Sequence, residues 1–151
     1  MSQGISNSCE AIFIACETEK RSVQFFERAL SLSLKDEMHI LCRTILEQER
    51  NHVSILCNLL SGTEYDEGHC ASLSQQSIEL IFSGGLMKAH RIKAFSSVAR
   101  LLSYVIEQKH AMIQLYAQSL SFFEGKQALI VRSIIQEEMC HYDALVTQQG
   151  D

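Results

Sequence analysis

The sequence predicts an all-α protein, a four-helix bundle in which a long crossover joins two antiparallel helical hairpins. Three observations predict this fold class. The 151 residues contain no proline, four of the seven glycines fall between residues 62 and 85, and apolar residues recur at three- and four-residue steps on both sides of that interval. Residues that interrupt helices are therefore concentrated in the middle of the chain. We expect residues 1–151 to form a single domain.

The first hairpin is predicted to contain one helix from about residue 8 to 30 and a second that is capped by Asp36 and ends at Ser61 and Gly62. Asn7 or Ser8 begins the first helix, with Glu10 placed to complete a cap. Both helices carry an apolar stripe, typical of helices that pack on one face. The stripe residues are Ile12, Ala15, Cys16, Val23, Phe26 and Leu30, then Ile40, Leu41, Ile45, Leu46, Val53, Leu56 and Leu60.

The second hairpin is predicted to follow a crossover that covers residues 62 to about 90, with one short helix at 74–82. Its helices run from about His90 to residue 120 and from about Lys126 to residue 148. Short loops make neighbouring helices antiparallel, whereas a long connection can run the length of a bundle. The stripe residues are Val98, Leu101, Leu102, Val105, Met112, Ile113 and Tyr116, then Leu129, Ile130, Ile134, Ile135 and Leu145.

The composition excludes several classes of function. With 13 Lys and Arg against 18 Asp and Glu, the net charge is −5 and no basic run is present, so we expect no nucleic-acid partner. Apolar runs are too short to span a bilayer, and no charged start leads into a cleavable apolar segment. We expect a cytoplasmic protein with no membrane partner. Most of the six cysteines lie within apolar helical patterns, which favours buried, reduced thiols over a secreted disulfide scaffold. They include no C-x-x-C pair, which excludes a zinc ribbon or a rubredoxin-type iron site.

One motif occurs in both hairpins. Residues 45–52 (ILEQERNH) align with residues 134–141 (IIQEEMCH), at a constant offset of 89. Each copy ends in a Glu and a His three residues apart, which project from one face of a helix. Two such pairs on facing helices, with one more Glu from each remaining helix, form the dinuclear metal site of ferritin-like bundles. The two pairs are Glu49 with His52 and Glu138 with His141.

Each remaining long helix should supply one further carboxylate. In the third helix Glu107 is the only acidic residue, and it lies within an apolar run. In the first helix Glu17 and Glu19 compete. We prefer Glu19 because it precedes Glu49 by 30 residues, much as Glu107 precedes Glu138 by 31.

Other residues near these positions have alternative interpretations. His110, three residues after Glu107, is either an extra metal ligand, a partner of a ligand, or an ordinary core or surface histidine. Glu47 and Glu137 are interpreted as exposed neighbours, although Glu137 can exchange roles with Glu138. A tyrosine near the metals would donate a hydrogen bond to a bound oxygen species. Residues interpreted as core, structural or solvated are Phe25, Phe26, His39, His69, His90, Tyr116 and Tyr142.

The segment EKRSVQFF at residues 19–26, followed by E-x-x-H at 49–52 and again at 138–141, resembles the ferritin-like di-iron domain of rubrerythrins. The resemblance covers about residues 8–148. It implies reduction of hydrogen peroxide, or of dioxygen, by two iron ions with electrons from a separate protein such as a rubredoxin, in a homodimer. It implies that the catalytic iron ligands are Glu19, Glu49, His52, Glu107, Glu138 and His141. His110 stays a further metal candidate because of its spacing from Glu107.

Two departures from the rubrerythrin pattern bear on activity. His110 stands where family members often have a second Glu, and the chain lacks a rubredoxin domain. Manganese and zinc are alternative metals for carboxylate and imidazole ligands. Two other functions stay open: oxidation and sequestration of ferrous iron, and a metal-free structural or interaction bundle whose Glu and His residues form a buried polar network.

Overall fold

A computed structural model describes residues 4–32, 35–82 and 94–150, and this part of the chain is helical with no strand. The predicted all-α fold class is confirmed. Short 3₁₀ turns at Ala94–Ser96 and Leu120–Phe122 flank the fourth helix. The α-helices are α1 (Ser8–Leu30), α2 (Asp36–Leu60), α3 (Glu67–Phe82), α4 (Val98–Ser119) and α5 (Gly125–Gly150).

The start of α1 agrees with the prediction because a local signal determines it. The predicted cap at Asp36 is wrong, since Asp36 is the first residue of α2 and Lys35 is the N-cap residue, without a side-chain cap hydrogen bond. The Asn7 side chain caps α1 by accepting the Glu10 backbone N–H at 2.9 Å. The Glu10 carboxylate in turn accepts the backbone N–H of Ser6 at 2.9 Å and the Asn7 side-chain amide at 3.0 Å. Beyond α2, Gly62 has a φ of 81°, a left-handed conformation that glycine adopts without steric cost.

The crossover helix α3 begins earlier than the predicted Ser74. Asp66 caps it: its side chain accepts the His69 N–H at 3.0 Å and its carbonyl accepts the Cys70 N–H at 2.9 Å. Asp66 therefore starts a helix where the sequence indicated a turn, since aspartate serves both purposes.

The fourth helix also differs from its prediction. The expected start at His90 lies outside the described residues, and residues 94–96 form a 3₁₀ turn. The side chain of Ser97 accepts the Arg100 N–H at 3.2 Å and caps α4, which begins at Val98. Of the predicted stripe residues, Ile40, Val98 and Leu129 are exposed.

Helix packing leaves a polar layer between two apolar ones. α1 packs on α2, α4 packs on α5, the two hairpins meet through α1 with α4 and α2 with α5, and α3 covers α1. One apolar layer contains Phe26, Ile45 and Leu101, and the other contains Ile12 and Met112. Buried polar residues on the same helix faces lie between these layers.

Within the ranges given above, no helix has the length and apolar character that crossing a membrane requires.

Candidate metal centre

The repeated motifs come together inside the bundle. Glu49 and His52 continue the buried face of α2, while Glu138 and His141 continue that of α5. The exposed fraction is 0% for both glutamates, 1% for His52 and 5% for His141. The structure thus brings the two Glu-x-x-His pairs together, while their role as metal ligands stays a prediction.

Four of these buried side chains form a group that can bind a metal ion. Glu19, Glu49, His52 and Glu138 each offer one ligand atom, and these atoms lie within 4.8 Å of one another. Carboxylate and imidazole ligands suit several divalent ions, so the donor set does not by itself select the metal.

Glu19 is the inward carboxylate of α1, and it is fully buried. Its competitor Glu17 lies nearer the surface and forms an ion pair with Lys20 at 3.0 Å. The preferred choice on α1 thus has the expected position, while its role as a ligand stays a prediction.

The buried side chains of Glu19, Glu49, His52, Glu138 and His141 form a polar cluster. It has two halves, which share Glu49 and Glu138. In the His52 half, His52 Nδ1 lies 3.5 Å from Glu19 Oε1, 3.3 Å from Glu138 Oε1 and 3.8 Å from Glu49 Oε2. In the His141 half, His141 Nδ1 lies 3.6 Å from both Glu49 Oε1 and Glu138 Oε2. Glu49 and Glu138 therefore present one oxygen to each half, as bridging carboxylates do.

Lys109 of α4 fills the His141 half. Its ammonium contacts Glu49 Oε1 and lies 2.6 Å from Glu138 Oε2, and its side chain is 1% exposed. Burial opposes the charge on Lys109, but Glu138 and Glu49 raise its pKa. Burial likewise raises the pKa of Glu138, whereas Lys109 and the two histidines lower it well below its usual range. The His141 half thus already contains a cation.

Glu107, expected to be the inward carboxylate of the third helix, is exposed, and so is His110. The inward placement predicted for Glu107 is therefore wrong, whereas the exposure of His110 agrees with its interpretation as a surface histidine. One residue turns an α-helix by about 100°, so Glu107 and Lys109 lie about 200° apart around α4. Lys109 falls on the buried stripe of Val105 and Met112, at steps of four and three residues. That periodicity is the signal that would have identified it.

Each histidine is oriented by a side chain from the other hairpin. His52 Nε2 lies 2.5 Å from Glu137 Oε2, and His141 Nε2 contacts Gln48 Oε1. An imidazole whose Nε2–H is donated in this way presents Nδ1 to the cluster. Gln48 and Glu137 are equivalent in the 89-residue repeat, and sequence analysis missed the contribution of Gln48. Glu137 is half-buried and binds His52, whereas it was interpreted as an exposed neighbour.

Tyr116 supports the cluster from α4. Its hydroxyl donates to Glu19 Oε1 at 3.0 Å and lies 3.4 Å from the Ala15 carbonyl. Burial raises its pKa well above the ordinary value, so the hydroxyl retains its proton. Tyr142 instead lies beside His110, with ring centroids 6.1 Å apart.

The predicted core aromatics Phe25 and Phe26 are buried. His39 is half-buried, His69 lies 3.6 Å from the Glu10 carboxylate, and His90 is outside the described residues.

Several buried acceptor atoms of the cluster lack a hydrogen-bond partner within the described part of the chain. In the His52 half they are Glu19 Oε2, Glu49 Oε2, His52 Nδ1 and Glu138 Oε1. Buried polar atoms are rarely left unpaired, so a ring of such acceptors fits a bound cation. Charge points the same way, because three carboxylates and one ammonium leave two negative charges. One divalent ion with neutral histidines would balance them.

Comparisons with protein-family models, with curated proteins and with solved structures gave no match. The resemblance to rubrerythrins therefore stays a prediction that rests on the motifs alone, and function has to be argued from the geometry of the polar cluster.

Proposed function

We propose that the protein is an iron-dependent oxidoreductase that holds one iron ion in the His52 half and reduces hydrogen peroxide or dioxygen. The observation that carries the proposal is the set of four unpartnered acceptor atoms that surround one position in that half. They come from Glu19, Glu49, His52 and Glu138, which lie within 4.8 Å of one another.

One ion, rather than the two that the resemblance implies, is supported by Lys109. In the His141 half, its ammonium contacts Glu49 Oε1 and Glu138 Oε2, the two carboxylate oxygens that a second ion would need as ligands. Two divalent ions beside this ammonium would also leave the buried cluster with excess positive charge, which is costly in a low-dielectric interior.

Iron in this position would supply one-electron redox chemistry and polarise a bound oxygen substrate. The protein's own residues hold the site ready for it. Glu137 keeps Nδ1 of His52 directed inward, Tyr116 fixes the Glu19 carboxylate, and Lys109 positions Glu49 and Glu138. Apolar layers above and below exclude water, which strengthens these electrostatic contacts.

Electrons are proposed to come from a separate donor protein. The sequence has no C-x-x-C pair with which to hold a rubredoxin-type iron, so an external rubredoxin suits the role.

The first test is anaerobic titration of purified protein with ferrous iron, followed by metal analysis. We expect one iron per chain, and weaker binding in the Glu19→Gln variant. Glu17→Gln is the matched control, since Glu17 lies two residues away and outside the cluster, and it should bind iron like the parent. No uptake would overturn the metal site, and two ions per chain would overturn the one-ion form.

The second test measures peroxide consumption by iron-loaded protein supplied with reduced rubredoxin. Parent and Glu17→Gln should turn over peroxide, while Glu19→Gln should be slower by at least about tenfold, a size typical of weakened metal coordination. A parent protein no faster than free ferrous iron would contradict the enzymatic proposal while leaving metal binding intact.

A second candidate is a metal-free structural bundle, which one observation favours. Burial lowers the pKa of His52, but Glu138 and Glu49 raise it more, to about 10, and the pKa of His141 is raised as well. Two protonated histidines would balance the cluster without any ion. In that case chelation should leave the thermal unfolding midpoint unchanged and no metal should accompany the purified protein.

A further inference from the structure

Two cysteines outside the polar cluster lie close together between α1 and α2. Cys16 Sγ is 2.9 Å from Cys57 Sγ. This exceeds the length of a disulfide bond, about 2.0 Å, by only about 0.9 Å. Both residues are free thiols. A small side-chain movement would therefore bring the two sulfurs to bonding distance.

The environments of the two sulfurs differ. Cys16 is 2% exposed, and burial together with the hydrogen bond to Cys57 raises its pKa to about 12. Cys57 is only partly buried. Reactive cysteines are partially exposed, so a small oxidant meets Cys57 before the buried Cys16.

We propose that Cys16 and Cys57 are a peroxide-reactive thiol pair, in which Cys57 attacks and Cys16 resolves. This activity goes beyond the proposed iron chemistry, because it uses sulfur alone and no metal.

The steps balance. The Cys57 thiolate attacks one oxygen of hydrogen peroxide, the O–O bond breaks, and the departing hydroxide takes a proton to become water. Cys57 is then a sulfenic acid. The Cys16 sulfur attacks the Cys57 sulfur, the S–S bond forms, and the sulfenic oxygen leaves as a second water. Two thiols are oxidised by two electrons while one peroxide is reduced, and a dithiol reductant restores the pair.

The disulfide would join the two helices that supply three of the four residues of the His52 half. Cys16 precedes Glu19 by one turn on α1, and Cys57 follows His52 on α2. Oxidation would therefore link covalently the hairpin that holds Glu19, Glu49 and His52.

The experiment uses the full chain, reduced and freed of metal with a chelator. One equivalent of hydrogen peroxide is added, remaining thiols are blocked with N-ethylmaleimide, and the protein is digested with trypsin and a glutamate-specific protease. Peptides 11–17 and 51–64 each contain one cysteine, Cys16 or Cys57. Mass spectrometry should find them joined by a disulfide, with two of the six thiols lost.

Variants test the assigned roles. Cys16→Ser should leave Cys57 as a sulfenic acid that a 1,3-dione reagent traps, and Cys57→Ser should remove both the trap product and the cross-link. Cys42→Ala is the control, because Cys42 is a buried cysteine of α2 outside the pair. This variant should form the 11–17 to 51–64 link like the parent. Circular dichroism verifies that each variant is folded.

Six unreacted thiols after peroxide would overturn the proposal, as would a link between other cysteines or a link that forms only in iron-loaded protein. Ferrous titration of the Cys16→Ser/Cys57→Ser double variant separates this result from the metal proposal. Iron binding in that variant should match the parent, since neither cysteine belongs to the cluster.

Discussion

The two hairpins carry the same Glu-x-x-His pair but differ in what the helix opposite contributes. In the first hairpin α1 supplies the carboxylate of Glu19, and in the second α4 supplies the ammonium of Lys109. The shared Glu49 and Glu138 then face an ammonium on one side and a ring of unpartnered acceptors on the other. The repeat thus places the two Glu-x-x-His pairs nearly symmetrically. The halves differ in the side chain from the neighbouring helix, which is an ammonium in the His141 half and a carboxylate in the His52 half.

The largest expected effect comes from removing the ammonium. Lys109→Met leaves Glu49 and Glu138 buried and unpaired, so the free energy of unfolding of metal-free protein should fall by about 3–5 kcal/mol. Urea denaturation with a chelator present measures it. Glu107→Gln, on the exposed face of α4, is the control and should stay within about 0.5 kcal/mol of the parent. Equal stability of Lys109→Met and the control would show that the ammonium contact does not stabilise the bundle.

The second largest effect is expected when the His141 half is given a carboxylate in place of its ammonium. Lys109→Glu replaces the ammonium that faces Glu49 and Glu138 with a carboxylate, so the His141 half should become a second metal site. Anaerobic ferrous titration should then rise from one ion per chain to two. The Glu107→Gln variant should stay at one. A stoichiometry of one in Lys109→Glu would mean that the two halves differ by more than this residue.

A smaller effect should distinguish the residues that orient the histidines. Glu137→Ala frees the imidazole of His52, which faces the proposed ion, and should weaken iron binding by about 10–100-fold. Gln48→Ala, its equivalent in the repeat, frees the imidazole of His141 beside Lys109 and should change the iron Kd by less than about threefold. Calorimetric titration compares them, and equal losses would argue against the assignment of the ion to the His52 half.

The smallest effect concerns how each hairpin begins. Asn7→Ala and Ser97→Ala each remove a side-chain N-cap, and each should lower the free energy of unfolding by about 1 kcal/mol at neutral pH. Chemical denaturation at a series of pH values should then separate them.

The separation depends on Glu10, which supports the Asn7 cap. Burial would raise the pKa of Glu10, but the backbone and hydroxyl of Ser6 and the nearby His69 lower it overall. A lowered folded-state pKa stabilises the protein above the unfolded value near 4.5, and this stabilisation is lost as pH falls through the folded-state pKa. Glu10→Gln should remove this acid dependence, while Ser97→Ala should preserve it.

Features set by local signals were predictable from the sequence. The start of α1 follows from Asn7 and Glu10. The 89-residue repeat predicted equivalent inward positions for two Glu-His pairs, which are Glu49 with His52 and Glu138 with His141. On α4 the prediction was wrong because it gave residue type more weight than helical periodicity. Glu107 is the only acidic residue of the predicted helix, but Lys109 is the residue that lies on the buried stripe. A buried lysine is unusual, since it needs paired carboxylates that sequence alone does not place beside it.

Contacts between side chains of different helices were beyond prediction for a different reason. Whether Gln48 reaches His141, or Cys16 reaches Cys57, depends on the distance and rotation between packed helices. Helical periodicity gives the face of each helix but not its axial offset against a neighbour.

The hydrogen bonds of the two histidines cross between the hairpins, so the site is complete only when the hairpins are packed together. Glu137 of the second hairpin orients His52 of the first, and Gln48 of the first orients His141 of the second. Neither hairpin therefore contains a complete half-site by itself. If the chain were divided in the crossover and its two hairpins produced separately, high-affinity metal uptake would return only as they docked, and bound metal would report how much of the bundle had re-formed.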